Sequence, residues 1–164
     1  ATAGLGRDTF LMAAVGCVVF PLERDSIVRA LLADGLRRAR AEPRISVSAA
    51  RISEPLLGDA ISQMAGWVEQ LQIDAIYLDP MFAPDALNAK SKKEMQILQR
   101  LVMEQDDAEP LLRAAVATGV NRIVVKRGRQ APAIAGREPD RVYLGRSVRY
   151  DVYDWRAVET VNSR

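Results

Sequence analysis

The sequence predicts an α/β fold: a three-layer domain whose sheet is mostly parallel with an antiparallel C-terminal edge. Three observations carry this. Short β-type runs alternate with helical stretches along most of the 164 residues, the pattern that builds βαβ units and parallel strands. The last two β runs follow one another without a helix between them, which favours an antiparallel pair. Acidic residues stand at the ends of two apolar runs, where an α/β sheet displays its ligand contacts.

The elements follow in order. Val18-Val19-Phe20 leads into Pro21-Leu22-Glu23 as a first strand. Asp25-Ser26 can cap the next helix, whose apolar residues Ile27, Val28, Leu31, Leu32 and Leu36 recur at helical spacing. Ile45-Ser46-Val47-Ser48 reads as a strand. Residues 55–71 read as a helix with Leu57, Ile61, Met64, Trp67 and Val68 on one side. Asp74 to Asp79 form a buried strand stopped by Pro80. Residues 91–104 are helical by the spacing of Met95, Leu98, Leu101 and Val102, and 109–118 form another helix. Arg122-Ile123-Val124-Val125-Lys126 is the next strand. Arg141–Leu144 and Tyr150–Tyr153 close the chain as a hairpin around Gly145. No repeat, linker or low-complexity segment interrupts residues 1–164, so a single domain is expected.

Composition narrows the chemistry. No apolar run approaches the ~18 residues that a membrane span needs, and a soluble, globular protein is expected. The N-terminus shows no signal-peptide pattern. Cys17, the single cysteine, cannot form an internal disulfide, which fits a reducing cytoplasm; its apolar neighbours predict a buried, inert thiol. There is no histidine. Ser-His-Asp and Cys-His catalysis and histidine metal sites are therefore excluded, and no metal centre is expected. Carboxylates, backbone groups or a cofactor must do the work. The net charge of +2 is unevenly spread: residues 1–121 hold 13 Lys+Arg against 16 Asp+Glu, and residues 122–164 hold 10 against 5. A basic C-terminal third is compatible with a polyanionic partner, although charge runs more often just solvate a surface.

Two motifs stand out. Gly4-Leu5-Gly6-Arg7-Asp8 precedes a helical pattern, where glycines let the backbone approach a ligand at a helix N-terminus. A dinucleotide fingerprint would need a third glycine where Thr9 stands. Glu23, at the end of the first strand, can accept hydrogen bonds from both hydroxyls of a ribose. Loop and acid together suggest a nucleoside-bearing cofactor; separately, a plain turn and a surface glutamate explain them. Asp79-Pro80-Met81-Phe82 is sharper. The Asp79 carboxylate and the Pro80 carbonyl can accept hydrogens from an exocyclic amine and turn its lone pair toward an electrophilic methyl. Phe82 offers a flat face for a base, worth roughly 1–3 kcal/mol. The bland alternative is a proline turn with Phe82 in the core. Lys90, Lys92, Lys93 and Arg100, and then Lys126-Arg127-Gly128-Arg129, follow strand ends where a phosphate backbone could pass.

Taken in order, Thr2–Asp8, Leu22-Glu23-Arg24, Tyr77–Phe82, Lys92-Lys93-Glu94-Met95, Val124–Arg127, Ala131-Pro132 and Tyr150–Tyr153 resemble the RsmJ family of bacterial small-subunit ribosomal RNA guanine-N2 methyltransferases. The resemblance covers nearly the whole chain. It implies a class I, Rossmann-like fold dependent on S-adenosylmethionine (SAM), with Arg7, Asp8, Glu23, Arg24 and Asp79 contacting SAM. It also implies ribosomal RNA or an assembling subunit as partner. In that family a Ser-Ser pair follows the third strand; here the corresponding place holds Ala50-Arg51, and those contacts are not carried over. Family members have an N-terminal region and a first strand before the glycine loop, so this chain is expected to be part of a longer protein. Methyl transfer from a sulfonium is an in-line displacement in which positioning does most of the work. A methylated, cationic guanine amine loses its proton readily, which suits a chain without histidine. Two rivals remain: a non-catalytic RNA-binding relative, and a nicotinamide oxidoreductase, which Thr9 and the absence of an evident proton donor disfavour.

Overall fold

The computed structural model describes residues 2–80, 108–134 and 136–154. They form two compact units, residues 1–72 and 73–164. The predicted helix over 91–104 lies outside the described residues.

The first unit contains α1 (Arg7–Ala14), β1 (Leu22–Glu23), α2 (Ser26–Ala41), α3 (Ser46–Ala49), β2 (Leu56–Leu57) and α4 (Ala60–Leu71). The two short strands are parallel, with Leu22 opposite Leu56 and Glu23 opposite Leu57. Pairing begins earlier than the strands themselves: the Val19 amide donates to the Arg51 carbonyl at 2.9 Å and the Ser53 amide to the Val19 carbonyl at 3.0 Å. The core joins Ala13 of α1, Leu32 and Leu36 of α2, and Ile52, with Ala3, Phe10 and Val19 against them. The predicted cap is present: Asp25 Oδ1 accepts from the Ile27 and Val28 amides at 2.8 and 2.9 Å. It satisfies two of the amides that a helix start leaves without partners.

Several local expectations are corrected. Residues 46–49 form α3, not a strand; the Ala49 and Ala50 amides donate to the Ile45 and Ser46 carbonyls at 2.9 and 2.8 Å. Helical winding turns Ala49 fully inward and leaves Val47 exposed, whereas a strand would have directed Ile45 and Val47 to one face. The strand that pairs with β1 is Leu56–Leu57, within the segment read as helix, and α4 begins only at Ala60 behind its Asp59 cap. On α2 only Val28, Leu32 and Leu36 are buried, while Ile27 and Leu31 face outward. Cys17 is exposed, not buried. It follows the C-terminus of α1, where the Gly16 amide donates to the Ala13 carbonyl and the Cys17 amide to Met12, each at 3.1 Å. Gly16 has φ +107°. This glycine-based stop turns the chain outward just before the first strand pairing.

The second unit contains β3 (Ala75–Leu78), α5 (Ala108–Ala117), β4 (Arg122–Gly128), β5 (Arg141–Leu144) and β6 (Val148–Asp154). Its sheet runs β3-β4-β6-β5. β3 and β4 are parallel, and β6 is antiparallel to both β4 and β5. The mostly apolar runs Ala75–Leu78 and Ile123–Val125 suit strands covered on their faces. Leu78, Ile123 and Val125 are fully buried, as are Leu111, Leu112 and Ala115 of α5 almost completely. The terminal hairpin is as the sequence predicts, with the Gly145 amide donating to the Val148 carbonyl at 2.8 Å. No described helix is long and apolar enough to cross a membrane.

Gly6 and Gly4 provide a paired test of the loop before α1. Both have positive φ, +81° and +54°, but a Cβ on Gly6 would overlap Leu32 Cδ1, whereas one on Gly4 meets nothing within 4 Å. Leu32 is itself a core residue. Gly4→Ala should therefore cost about 1 kcal/mol for the left-handed backbone, and Gly6→Ala about 2–3 kcal/mol because Leu32 must also move. Urea unfolding of the two variants measures the difference.

Candidate active site

In the first unit, the glycine loop is fastened to the end of β1. The Ala3 amide donates to the Leu22 carbonyl at 3.1 Å, and the Gly4 amide to Glu23 Oε2 at 2.8 Å. The other carboxylate oxygen, Oε1, accepts from the Asp25 amide at 3.0 Å. Glu23 is only 8% exposed. Its acid thus closes the loop on one side and shapes the entry to α2 on the other, a structural role that the sequence did not show. A carboxylate has about four acceptor positions, so two backbone amides leave capacity for hydroxyl donors.

Gly6 ends the loop as the N-cap of α1 and supplies no side-chain cap. Arg7 is exposed at the start of the helix and Asp8 half-buried in its first turn. Arg24 is exposed beside Glu23.

The end of β2 corrects a further expectation. Because β2 is Leu56–Leu57, the residues after the strand are Gly58 and Asp59, not Ala50-Arg51. The Gly58 amide donates to the Glu23 carbonyl at 3.1 Å, so β1 and β2 end side by side. Asp59 Oδ2 accepts from the Ser62 amide at 3.0 Å and the Ser62 hydroxyl at 2.9 Å, capping α4. Asp59 is the acid at this rim that sequence reasoning missed. The available signal was Asp followed by Ser62 at capping distance, which marks a helix start and so a strand just before it.

In the second unit, Leu78 lies opposite Val125, and Asp79 follows at the carboxyl end of β3 with buried Pro80 behind it. Lys126 of β4 is level with Asp79, and its Nζ donates to Asp79 Oδ2 at 2.8 Å. Their side chains are 23% and 37% exposed. Lys126, expected among rim charges facing phosphates, is therefore engaged with the strand-end acid. Arg127, expected on the same rim, is 5% exposed and turned inward. Side chains alternate across a strand, so Lys126 and Arg127 cannot face the same way. Arg127 belongs instead to a charged inner face. There Arg149 grips Asp151 with Nε–Oδ1 and Nη2–Oδ2 distances of 2.9 and 3.0 Å, and Asp151 and Tyr153 are fully buried. Burial, and then Asp151, push the Tyr153 hydroxyl above its ordinary value. The guanidinium of Arg137 lies 5.8 Å from the Tyr153 ring centre. Met81, Phe82, Lys90, Lys92 and Lys93 lie outside the described residues.

Each unit places its motif at the end of a parallel strand, the glycine loop on Glu23 of β1 in the first and Asp-Pro after β3 in the second, which puts the chain in the class of α/β proteins with parallel strands. Within it, the chain belongs to the family described as "Putative SAM-dependent methyltransferase", whose model matches residues 1–155. The Ribosomal RNA small subunit methyltransferase J of Ectopseudomonas mendocina is 45% identical over 159 residues, covering 97% of this chain and 60% of that protein. The protein of the same name from Marinobacter nauticus is 44% identical, covering 96% of this chain and 56% of its own length. The crystal structure of a SAM-dependent methyltransferase from Neisseria gonorrhoeae superposes with a TM-score of 0.73 at 41% identity, over 93% of this chain and 62% of that one. The chain thus spans about 60% of the length of the curated relatives it matches. Its fold is the class I methyltransferase fold predicted from the sequence.

Removing the Glu23 carboxylate leaves the Gly4 and Asp25 amides without their acceptor. At a buried site this costs about 2–3 kcal/mol in Glu23→Ala. Glu23→Gln keeps one carbonyl oxygen and should cost about half as much. The urea midpoints of the two variants test the ordering; equal midpoints with the wild type would show that the loop is held without Glu23.

Proposed function

We propose that this chain transfers the methyl group of SAM to the exocyclic N2 of a guanosine in small-subunit ribosomal RNA, and that it does so in the cytoplasm. The observation that carries the proposal is identity of about 45% along nearly the whole chain to proteins named for small-subunit ribosomal RNA methylation. The geometry is compatible with it. Glu23 keeps acceptor capacity for the ribose hydroxyls of SAM, and Gly4, Gly6, Arg7, Asp8 and Arg24 surround the same loop. Asp79 and the Pro80 carbonyl act as acceptors for the guanine amine, and Phe82 as its stacking surface. The chain's task is to hold the amine nitrogen in line with the sulfonium methyl. A helical guanine must first be unstacked or flipped.

Parallel titrations with S-adenosylhomocysteine and NAD test the cofactor; binding of NAD alone would overturn the proposal. Turnover is tested by tritiated-methyl incorporation into undermethylated small-subunit RNA. Asp79→Ala should lower both turnover and cofactor affinity. Phe82→Ala should leave cofactor binding intact and cut methyl transfer roughly tenfold or more, matching a lost stacking contact of about 1–3 kcal/mol. If Phe82→Ala instead melts many degrees lower, Phe82 is a core residue and its stacking role is wrong. A protein that binds cofactor and RNA without incorporating methyl would be the non-catalytic relative.

RNA contacts are assigned to Lys90, Lys92 and Lys93, with Lys126 and Arg127 now set apart by the ion pair and the burial described above. The triple alanine variant of the three lysines should weaken RNA binding and reduce the salt slope of log K by about two to three units. SAM affinity should be unchanged. An unaltered slope would mean that these lysines only solvate the surface.

A further inference from the structure

We infer that Lys126 is a positioning residue for Asp79 and not a phosphate anchor: its ammonium fixes the carboxylate at the tip of β3 in the orientation that receives the amine. This rests on the proposed methyl transfer and adds a residue to it. The argument starts from register. Leu78 opposite Val125 makes Asp79 and Lys126 neighbours across a parallel pair, on the same face of the sheet. On the other side of β4, Lys126 is opposite Tyr150 of β6. The lysine stem is thus bracketed by neighbouring strands, and its Nζ reaches Asp79 Oδ2 at 2.8 Å. Both side chains are only partly covered, at 23% and 37% exposure, and an ion pair in that setting contributes little to stability. Its consequence is geometric. A charge-assisted hydrogen bond to Oδ2 restricts rotation of the carboxylate about its Cβ–Cγ bond. A carboxylate has about four acceptor positions, and the lysine takes one of them. An acceptor with a set plane holds the amine in line; a rotating one does so for a fraction of the time. An ammonium that acts through Asp79 changes turnover, whereas one that contacts a phosphate changes RNA affinity and its salt dependence, so the two roles predict different kinetics.

The test compares Lys126→Met, Lys126→Arg, Asp79→Asn and the Lys126→Met/Asp79→Asn double variant in the full chain. The readouts are kcat, KM for undermethylated small-subunit RNA at saturating SAM, and the salt slope of RNA binding. Lys126→Met should lower kcat about tenfold or more while KM and the salt slope stay near wild type, as expected of a contact that matters in the transition state. Lys126→Arg should recover most of the loss. The double variant should be no slower than Asp79→Asn alone, because the lysine acts through the aspartate. If Lys126→Met unfolds, Lys126→Gln takes its place in every comparison. A raised KM with normal kcat and a salt slope reduced by about one unit would make Lys126 a phosphate contact. Multiplying losses in the double variant would equally overturn the inference. Normal turnover in Asp79→Asn would sink the strand-end reading, and the lysine's role with it. An inactive Asp79→Asn beside a fully active Lys126→Met would sink the lysine's role alone.

Discussion

The alignment of β3 on β4 is the constraint on which the second unit depends, because side chains alternate with a period of two. With Leu78 opposite Val125, Ile76, Leu78, Ile123 and Val125 all bury on one face, and Asp79 meets Lys126 on the other. A slip of one residue would drive apolar side chains out of the core and separate the acid from its ammonium. Pro80 reinforces the arrangement: it has no amide to extend the ladder, so the strand stops where Asp79 is displayed.

The first unit achieves a comparable result with hardly any strand. β1 and β2 are two residues each, too little for pairing alone to hold. Their ends are secured by other groups: the Glu23 carboxylate on two backbone amides, and the Asp25 and Asp59 side chains on the helices that follow. Three acids thus organise backbone groups within one rim. An acid bound to the backbone in this way has given up its rotamer freedom on folding.

The charged inner face of β4 and β6 is the counterpart of that economy. Asp151 has no solvent contact, and a buried carboxylate is tolerated only when paired. Arg149 supplies the pair, donating from Nη2 to Asp151 Oδ2 at 3.0 Å, and Arg127 and Arg137 come within electrostatic reach of the adjacent Tyr153. A buried ion pair of this kind adds little net stability, because desolvation offsets much of the attraction. The charged inner face explains why the basic C-terminal third, legible as an RNA-facing signal, is partly an interior feature.

What the sequence determined by itself is the set of elements with strong local signals: the Asp25 cap, β3 stopped by Pro80, β4, and the hairpin at Gly145. It also determined the family, through motifs spread along nearly the whole chain. Tertiary structure decided what local pattern leaves degenerate. Ile45–Ser48 alternates like a strand, yet winds into α3, which packs against α1 and α2 and buries Ala49. Leu56–Leu57 continues a helical pattern, yet pairs with β1, which moved the acid of that rim to Asp59. Lys126 and Arg127 are adjacent basic residues in sequence, and only the pleat of β4 assigns one to Asp79 and the other to the interior. Composition records which charges a chain has; the direction in which each points is fixed when the strands pair.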